Sequence, residues 1–354
     1  MSDTKKMIKT FGVLLGVLVI IFIVLFIFMS IAGSKVGNTQ LVNVIENAAK
    51  RYYASHESEL PSIDASAKIT TDKLIADKYM KPFDKITANT NCKGEVTIYN
   101  NGGEYLYVPS VKCSEFKTST IGEVLEEKVV TAGDGLYKNG NIYYYKGEYV
   151  DNYIKLGNNT YRIISMEDDK IKVVDTKLPD ETFTWDNRYN VERGESGLGI
   201  NDYSKSRLRE SINNYYEKFE KDIKKYVIMS NWCMDKIDIN DTNINKNNCE
   251  NTISDYLGTI TPFEYVRMSL DENCNSLYSG ACKNYNYFNQ MFSKNLWTMT
   301  AVSNNSYNAM YIASGMIEYR KTYSDYRTAI MFNINNSLIV NTGDGSLNNP
   351  YVIK

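Results

Sequence analysis

The sequence contains a single histidine, His56, among its 354 residues, and this scarcity excludes several kinds of chemistry. A Ser-His-Asp or Cys-His site needs an imidazole as its general base. The six cysteines include no Cys-x-x-Cys pair, and His56 is far from all of them in the sequence, so the short ligand spacings of a zinc site are also missing. The sequence therefore predicts no nucleophilic triad and no zinc centre.

The sequence also lacks an excess of charge of either sign. It has 40 lysines and arginines against 42 aspartates and glutamates, which gives a formal net charge of -2. A balanced charge does not favour nucleic acid or a strongly acidic surface as a partner. We expect no nucleic-acid partner and no cofactor.

Charged residues are absent from the long apolar run between Phe11 and Ala32. A helix of this length measures about 33 Å and would cross a bilayer core of about 30 Å. Lysines precede the run, so the short N-terminal side should stay in the cytoplasm while the bulk of the chain lies outside. The sequence thus predicts a cytoplasmic tail over 1–10 and a single transmembrane helix over 11–33, acting as an uncleaved signal anchor in the cell membrane.

A cleaved signal peptide is the alternative. Ser30-Ile31-Ala32-Gly33 partly imitates a small-residue cleavage site. The sequence leaves open whether the N-terminus is removed.

All the cysteines lie beyond the apolar run, and an even number on the exported side predicts disulfide bonds. Two alternating segments flank Asn100-Asn101-Gly102-Gly103, which is typical of a β-hairpin. A two-residue turn there places Cys92 opposite Cys113, at a spacing that a disulfide can bridge. The other four cysteines allow three connectivities, of which the simplest joins Cys233 to Cys249 and Cys274 to Cys282.

Helical spacing of apolar residues from Leu41 to Tyr52 predicts an amphipathic stalk that ends near His56. A second short helix over 72–79 and the Cys92–Cys113 hairpin complete a small unit over 34–115. A linker helix over 116–132 leads to a larger domain over 133–354, in which short strands alternate with turns. Within that domain we expect one helix starting near Ser204 and a second starting at Thr261, which can cap it.

The small unit resembles the type IV pilin-like subunits of Gram-positive bacteria. The resemblance rests on Asn47-Ala48-Ala49-Lys50-Arg51-Tyr52-Tyr53, on Cys92-Lys93-Gly94-Glu95-Val96, and on Tyr105-Leu106-Tyr107 closing at Cys113. Pilins carry an acidic residue shortly after the start of the apolar segment, and this sequence has none there. The resemblance implies a pilin-like head on an anchor that is not processed by the pilin peptidase.

The larger domain resembles an uncharacterised exported domain of Gram-positive surface proteins, distantly similar to the formylglycine-generating-enzyme and C-type-lectin folds. The matching segments include Tyr161-Arg162-Ile163-Ile164, Trp232-Cys233, Leu296-Trp297-Thr298, Arg327-Thr328-Ala329-Ile330 and the tail from Gly343 to Ile353. This resemblance implies binding rather than a reaction.

Two groups of residues are candidate sites of chemistry. Asp186 and Glu264 could form an acid/base pair, although Glu264 has a capping-box explanation and the separation of the two carboxylates is not fixed by the sequence. Asp238, Asn240 and Thr242 alternate as oxygen ligands do in calcium loops, but Asn243 stands where the loop needs glycine. We predict no catalytic residue, and a polar loop is the simpler interpretation of the second constellation.

Together these features predict an α+β protein with an N-terminal transmembrane helix, a small pilin-like α/β-hairpin domain and a larger, mixed β-rich, lectin-like domain. The predicted function is non-enzymatic binding at the bacterial cell surface or on a pilus. Expected partners are a glycan, an envelope or host-surface protein, or pilin-like subunits. The alternatives are a minor pilin or pseudopilin and an extracytoplasmic enzyme acting on cell-wall carbohydrate.

Overall fold

The computed structural model describes residues 35–191, 197–242 and 249–354, and these form two compact units. Of the described residues, the first unit contains 35–58, Lys68–Val96 and Pro109–Lys117. The second unit consists of Glu59–Ala67, Thr97–Val108 and Thr118–Lys354.

The first unit is built on helix α1, Asn38–Ser55, which begins directly after Gly37. Its buried positions, such as Leu41, Ile45 and Ala48, recur at intervals of three and four, so one face of the helix packs inward. Two shorter helices follow, α2 (Thr71–Ala76) and α3 (Phe83–Ile86). The Thr70 side chain accepts a hydrogen bond from the Lys73 amide and caps α2, as its position in the sequence suggests.

A three-stranded sheet in the order β1-β2-β3 contains the predicted hairpin. Its strands are β1 (Ser66–Thr70), β2 (Lys93–Asn101) and β3 (Glu104–Lys112). The turn glycines Gly102 and Gly103 both have positive φ, a conformation that favours glycine. Cys92 and Cys113 are joined by a disulfide with a Cα–Cα distance of 4.0 Å.

The second unit contains five helices and most of the strands that the structure describes. The helices are α4 (Ile121–Glu126), α5 (Arg207–Tyr216), α6 (Lys221–Lys224), α7 (Pro262–Arg267) and α8 (Tyr287–Met291). The strands are β4 (Gly135–Asn139), β5 (Ile142–Lys146), β6 (Tyr153–Leu156), β7 (Asn159–Glu167), β8 (Lys170–Asp175), β9 (Phe183–Thr184), β10 (Ser230–Cys233), β11 (Thr252–Asp255), β12 (Leu257–Gly258), β13 (Leu296–Ala301), β14 (Asn308–Ala313), β15 (Met316–Lys321), β16 (Asp325–Thr328), β17 (Met331–Asn335), β18 (Val340–Thr342) and β19 (Tyr351–Ile353).

A nine-stranded sheet dominates the second unit, with the order β12-β17-β8-β7-β6-β19-β18 and with β4 and β5 joined to it through β7. Its pairs are antiparallel except for β19 with β6. A five-stranded sheet has the order β15-β14-β13-β16-β9, and β10 and β11 form a separate two-stranded ribbon. Trp185, Trp232 and Trp297, the only tryptophans of the chain, are fully buried in the core of this unit.

The predicted fold class is wrong. The described residues form a β-rich mixed α/β fold with eight α-helices. None of the helices in the described part of the chain is long and apolar enough to cross a membrane. Most of these helices are short. The longest, α1, buries one face against the rest of its unit and has polar residues on the other face, so it is amphipathic and not apolar throughout. The predicted span over 11–33 lies outside the described residues.

Two elements of the second unit differ in extent from the sequence prediction. The apolar periodicity from Leu208 to Ile223 predicts one helix, but α5 ends at Tyr216 and α6 is a separate short helix. The segment Arg327–Phe332 predicts one strand, but it divides between β16 and β17, which belong to different sheets. Ala329 and Ile330 are buried where the chain crosses from one sheet to the other. The apolar character of residues 327–332 therefore does not indicate that the two ends of this segment belong to different sheets.

Candidate functional site

A cleft of about 380 Å³ lies in the second unit, against one face of the nine-stranded sheet. Strands β5, β7, β8 and β17 form its floor. Since successive side chains of a strand point to opposite faces, alternate residues of each strand share the cleft. The floor residues are Ile142 and Tyr144 of β5, Ser165 and Glu167 of β7, Lys170 and Lys172 of β8, and Asn333 of β17. Ile164 also lines the cleft, next to Ser165, where the register of β7 shifts.

The strand register arranges these side chains in cross-strand rows. Tyr144 is paired with Ser165, Ser165 with Lys172, and Lys172 with Asn333. Residues directly opposite each other in an antiparallel pair have Cβ atoms about 4.5–5.5 Å apart. One row of the sheet thus carries, in order, a phenol, a hydroxyl, an ammonium and a carboxamide. Strands β7 and β8, in the centre of the row, are each hydrogen-bonded to a strand on both sides.

Helix α7 and the β10–β11 ribbon form the walls of the cleft. The ribbon pairs Cys233 with Thr252, and the Cys233–Cys249 disulfide borders the cleft with a Cα–Cα distance of 5.7 Å. Trp232 fixes the ribbon from behind, because its indole N–H donates to the Asp255 carbonyl over 2.9 Å. A Cβ on Gly258 would lie 2.3 Å from the Trp232 ring, so only glycine fits beneath it.

Helix α7 begins with a complete capping box, as its sequence predicts. The Thr261 hydroxyl accepts from the Glu264 amide, and one Glu264 oxygen accepts from the Thr261 amide over 2.8 Å. The other Glu264 oxygen accepts a hydrogen bond from the Lys172 ammonium, which joins the helix to the floor of the cleft. Both side chains of this ion pair are mostly withdrawn from water, with exposures of 21% for Lys172 and 15% for Glu264.

The two glutamates of the cleft have pKa values shifted in opposite directions. Burial acts to raise the pKa of Glu264, but the Lys172 ammonium and the Thr261 amide and hydroxyl outweigh it and hold the pKa below its ordinary value. The pKa of Glu167 is raised, mainly because the surrounding protein displaces water from it, with the Asp168 and Glu264 carboxylates adding to the effect. The same cleft therefore shifts the pKa values of two carboxylates in opposite directions.

Aromatic side chains complete the lining. Tyr144 and Phe263 are half-buried at the cleft, and the Arg267 guanidinium lies 6.0 Å from the centre of the Tyr144 ring. Rings that remain partly exposed beside hydroxyl and amide groups can stack on an apolar face of a ligand while the polar groups hydrogen-bond its edge. The cleft thus offers both kinds of contact on rigid elements.

The structure does not bring the predicted carboxylate pair together in this cleft. Glu264 lines it, whereas Asp186 does not. Asp186 is fully buried and is held by Arg188, whose Nη2 donates to its Oδ2 over 2.6 Å and whose backbone amide donates to its Oδ1. Its carboxylate therefore neutralises a neighbouring arginine.

The calcium candidates Asp238, Asn240 and Thr242 lie in a polar loop whose next residues, 243–248, are outside the described chain. Both Asp238 oxygens already accept hydrogen bonds, one from the Asn240 amide and the other from the Asn304 carboxamide. These contacts lower the pKa of Asp238, with the backbone contact from Asn240 the largest cause. Oxygens that receive N–H donors are poorly placed for a cation.

Three disulfides are present: Cys92–Cys113, Cys233–Cys249 and Cys274–Cys282. These are the pairs favoured by the hairpin geometry and by the local-loop argument. Asp235 lies close to the Cys233 and Cys249 sulfurs, but those sulfurs are bonded to each other and are not thiolate ligands. Asp235 instead accepts from the backbone amides of Glu250 and Asn251. Cys233, Cys249 and Asp235 therefore hold the two ends of a loop together and do not form a metal site.

No family model matches this chain, and no curated protein or solved structure is significantly similar to it.

Lys172, Glu167 and Asn333 are not among the site residues predicted from the sequence. A signal was present in Lys170-Ile171-Lys172, where charged and apolar residues alternate as they do on a strand with one polar face. Finding the cleft also requires the register of β8 with β7 and β17, which brings together residues separated by most of the domain.

Proposed function

We propose that the protein is a non-enzymatic binding protein of the bacterial cell surface, and that the cleft of the second unit takes a saccharide. The observation that carries the proposal is the cross-strand floor of the cleft, where the half-buried Tyr144 is paired with Ser165 and the row continues with the polar side chains of Lys172 and Asn333. A sugar ring has an apolar face for the aromatic side chain and hydroxyl groups for the polar ones. The floor of the cleft can therefore bind a saccharide without a catalytic group.

The proposed location outside the cell rests on the three disulfides, which persist in oxidising compartments. Only the sequence supports membrane attachment through residues 11–33. The pilin-like and lectin-like resemblances also rest on the sequence alone. The description as a minor pilin or pseudopilin likewise remains a sequence-based alternative.

The test is a screen of the full chain against cell-wall fragments and purified glycans, with the release of reducing ends assayed in the same wells. We expect saturable binding of at least one saccharide and no release of reducing ends. The absence of binding to every saccharide, in a protein that has its disulfides and unfolds cooperatively, would contradict the proposal.

A second candidate function, hydrolysis of a wall glycan, is favoured by one specific observation. Glu167 and Glu264 line the same cleft, and their pKa values are displaced in opposite directions. Two carboxylates with that difference are what a glycosidase uses as acid and as base or nucleophile. Release of reducing ends that disappears in Glu167→Gln while saccharide binding remains would establish this function in place of simple binding.

A further inference from the structure

Three lysine–asparagine pairs face each other directly across antiparallel strands of the second unit. Lys172 is opposite Asn333 and Lys170 is opposite Asn335, both between β8 and β17. Lys321 is opposite Asn308, between β15 and β14. Directly opposed side chains are close enough for a lysine to reach the carboxamide of its partner.

Only the first of these pairs combines the groups that a reaction between the two side chains would need. The Lys172 ammonium donates a hydrogen bond to Glu264, whereas Lys170 and Lys321 have no carboxylate partner in the described chain. Asn333 is only 6% exposed, and Lys172 and Asn333 line the same cleft. Lys172, Asn333 and Glu264 therefore all line one cleft.

The environment of the Lys172 ammonium is partly apolar. Its Nζ lies 5.0 Å from the centre of the Trp232 ring, and Trp232 is 2% exposed. Removal from water disfavours the charged forms of both an amine and a carboxylic acid. Within the ion pair this lowers the cost of the neutral state, in which the proton has moved from Lys172 to Glu264.

We propose that Lys172 and Asn333 become joined by an amide (isopeptide) bond, with Glu264 as the proton carrier. The neutral Nζ attacks Cγ of Asn333, so that an Nζ–Cγ bond forms and the Cγ–Nδ2 bond breaks. Glu264 accepts a proton from the lysine and delivers it to Nδ2. The nitrogen leaves as ammonia and takes up the second lysine proton as ammonium. Nothing is oxidised or reduced, and no further reactant is needed.

The bond would tie β8 covalently to β17, the second strand from one end of the nine-stranded sheet. It would close a chain segment that contains most of the second unit, and cross-links over long loops restrict the unfolded chain most. The bond would replace the Lys172 ammonium and the Asn333 carboxamide of the cleft floor by a secondary amide, which still offers an N–H donor and a carbonyl acceptor. Its formation does not depend on a ligand.

The experiment is peptide mapping by mass spectrometry of the full chain, purified, with its cysteines reduced and blocked before digestion. We expect one cross-linked peptide pair that contains β8 and β17, with a mass lower than the sum of its parts by one ammonia. The Lys172→Arg and Asn333→Ala variants should give separate peptides at their sequence masses. Mapping the linked peptides directly makes the result independent of any processing at the N-terminus.

The matched control is Lys170→Arg, which alters the neighbouring pair on the same two strands and should leave the cross-link intact. Glu264→Gln cannot carry the proton and should reduce the linked fraction at least about tenfold, while glutamine preserves the capping position. Separate β8 and β17 peptides in wild-type protein that is folded and disulfide-bonded would overturn the proposal. So would a cross-linked fraction unchanged in Glu264→Gln.

Discussion

Arg162 and Lys172 are two cations on neighbouring strands of one sheet, and the fold surrounds them differently. Arg162 is buried, with its Nε donating to the Asn152 carboxamide over 2.6 Å and its guanidinium between the rings of Tyr153 and Tyr287. Burial lowers the pKa of Arg162, although an arginine remains charged in proteins.

Lys172 lies instead at the floor of a cleft, with a carboxylate on its ammonium and a carboxamide directly opposite it. No carboxylate in the described chain forms an ion pair with Arg162, so that cation has no carboxylate beside it to accept a proton. We therefore interpret Arg162 as a cation that stabilises the fold and Lys172 as a cation that takes part in chemistry or in binding. Each prediction below tests one side of this contrast.

The largest effect should come from Arg162→Leu. The substitution removes a buried side chain that packs against two rings. It also removes the Arg162 donor to the Asn152 oxygen and one of the two donors to the Val150 carbonyl. We expect the free energy of unfolding to fall by about 3 kcal/mol. Urea unfolding followed by tryptophan fluorescence measures this directly, since all three tryptophans belong to the second unit.

Arg207→Leu is the control for that experiment. Arg207 pairs with Glu210 on the surface of α5, with exposures of 52% and 58%, and an exposed pair contributes little. If Arg162→Leu were as mild as Arg207→Leu, the interpretation of Arg162 as a structural cation would be wrong.

The second prediction concerns the pH dependence of the Lys172–Glu264 pair, measured in an Asn333→Ala background where no cross-link can form. The pKa of folded Glu264 is held below its ordinary value, so its stabilising contribution is complete above about pH 4.3 and is lost as pH falls through the lower folded pKa. Adding Glu264→Gln should lower the free energy of unfolding by about 2 kcal/mol at neutral pH.

The same substitution should cost progressively less as the pH is lowered below 4, because the protonated glutamate has already lost its pairing. Denaturation at a series of pH values in the two backgrounds provides the measurement. A difference that is constant with pH would show that Glu264 contributes only through its shape and its neutral hydrogen bonds.

The third and smaller prediction compares two capping boxes. Thr261 caps α7 and Thr120 caps α4, each with a glutamate at the third position, but only Glu264 also binds a lysine. Losing a cap costs about 1 kcal/mol, so Thr120→Ala and Thr261→Ala should destabilise the protein similarly. Only Thr261→Ala should also weaken ligand binding, because it removes one of the contacts that hold Glu264 in the cleft wall.

Local features of the fold were predictable from the sequence, and features that depend on long-range pairing were not. Turn glycines, capping residues and strand alternation are encoded within a few residues, so the Cys92–Cys113 hairpin, the start of α7 and strands such as β6 followed from the sequence. The cleft requires β8 to lie between β7 and β17, and nothing near Lys172 in the sequence specifies Asn333 as its neighbour. The predicted fold class was wrong because the described chain is a β-rich mixed α/β fold in which no helix is apolar and long enough to cross a membrane.

The central claim is that the cleft is a ligand site. The most direct test takes the saccharide that binds most tightly and measures its dissociation constant for two variants, Tyr144→Ala and Tyr215→Ala. Tyr144 lines the cleft, and Tyr215 lines another depression of about 480 Å³, where Lys218 lies 4.9 Å from the centre of its ring. Both tyrosines are half-buried beside a cation, so their replacement by alanine should perturb folding to similar, small extents. The account predicts about tenfold weaker binding in Tyr144→Ala and unchanged binding in Tyr215→Ala. Equal affinities in the two variants, or a loss confined to Tyr215→Ala, would contradict it.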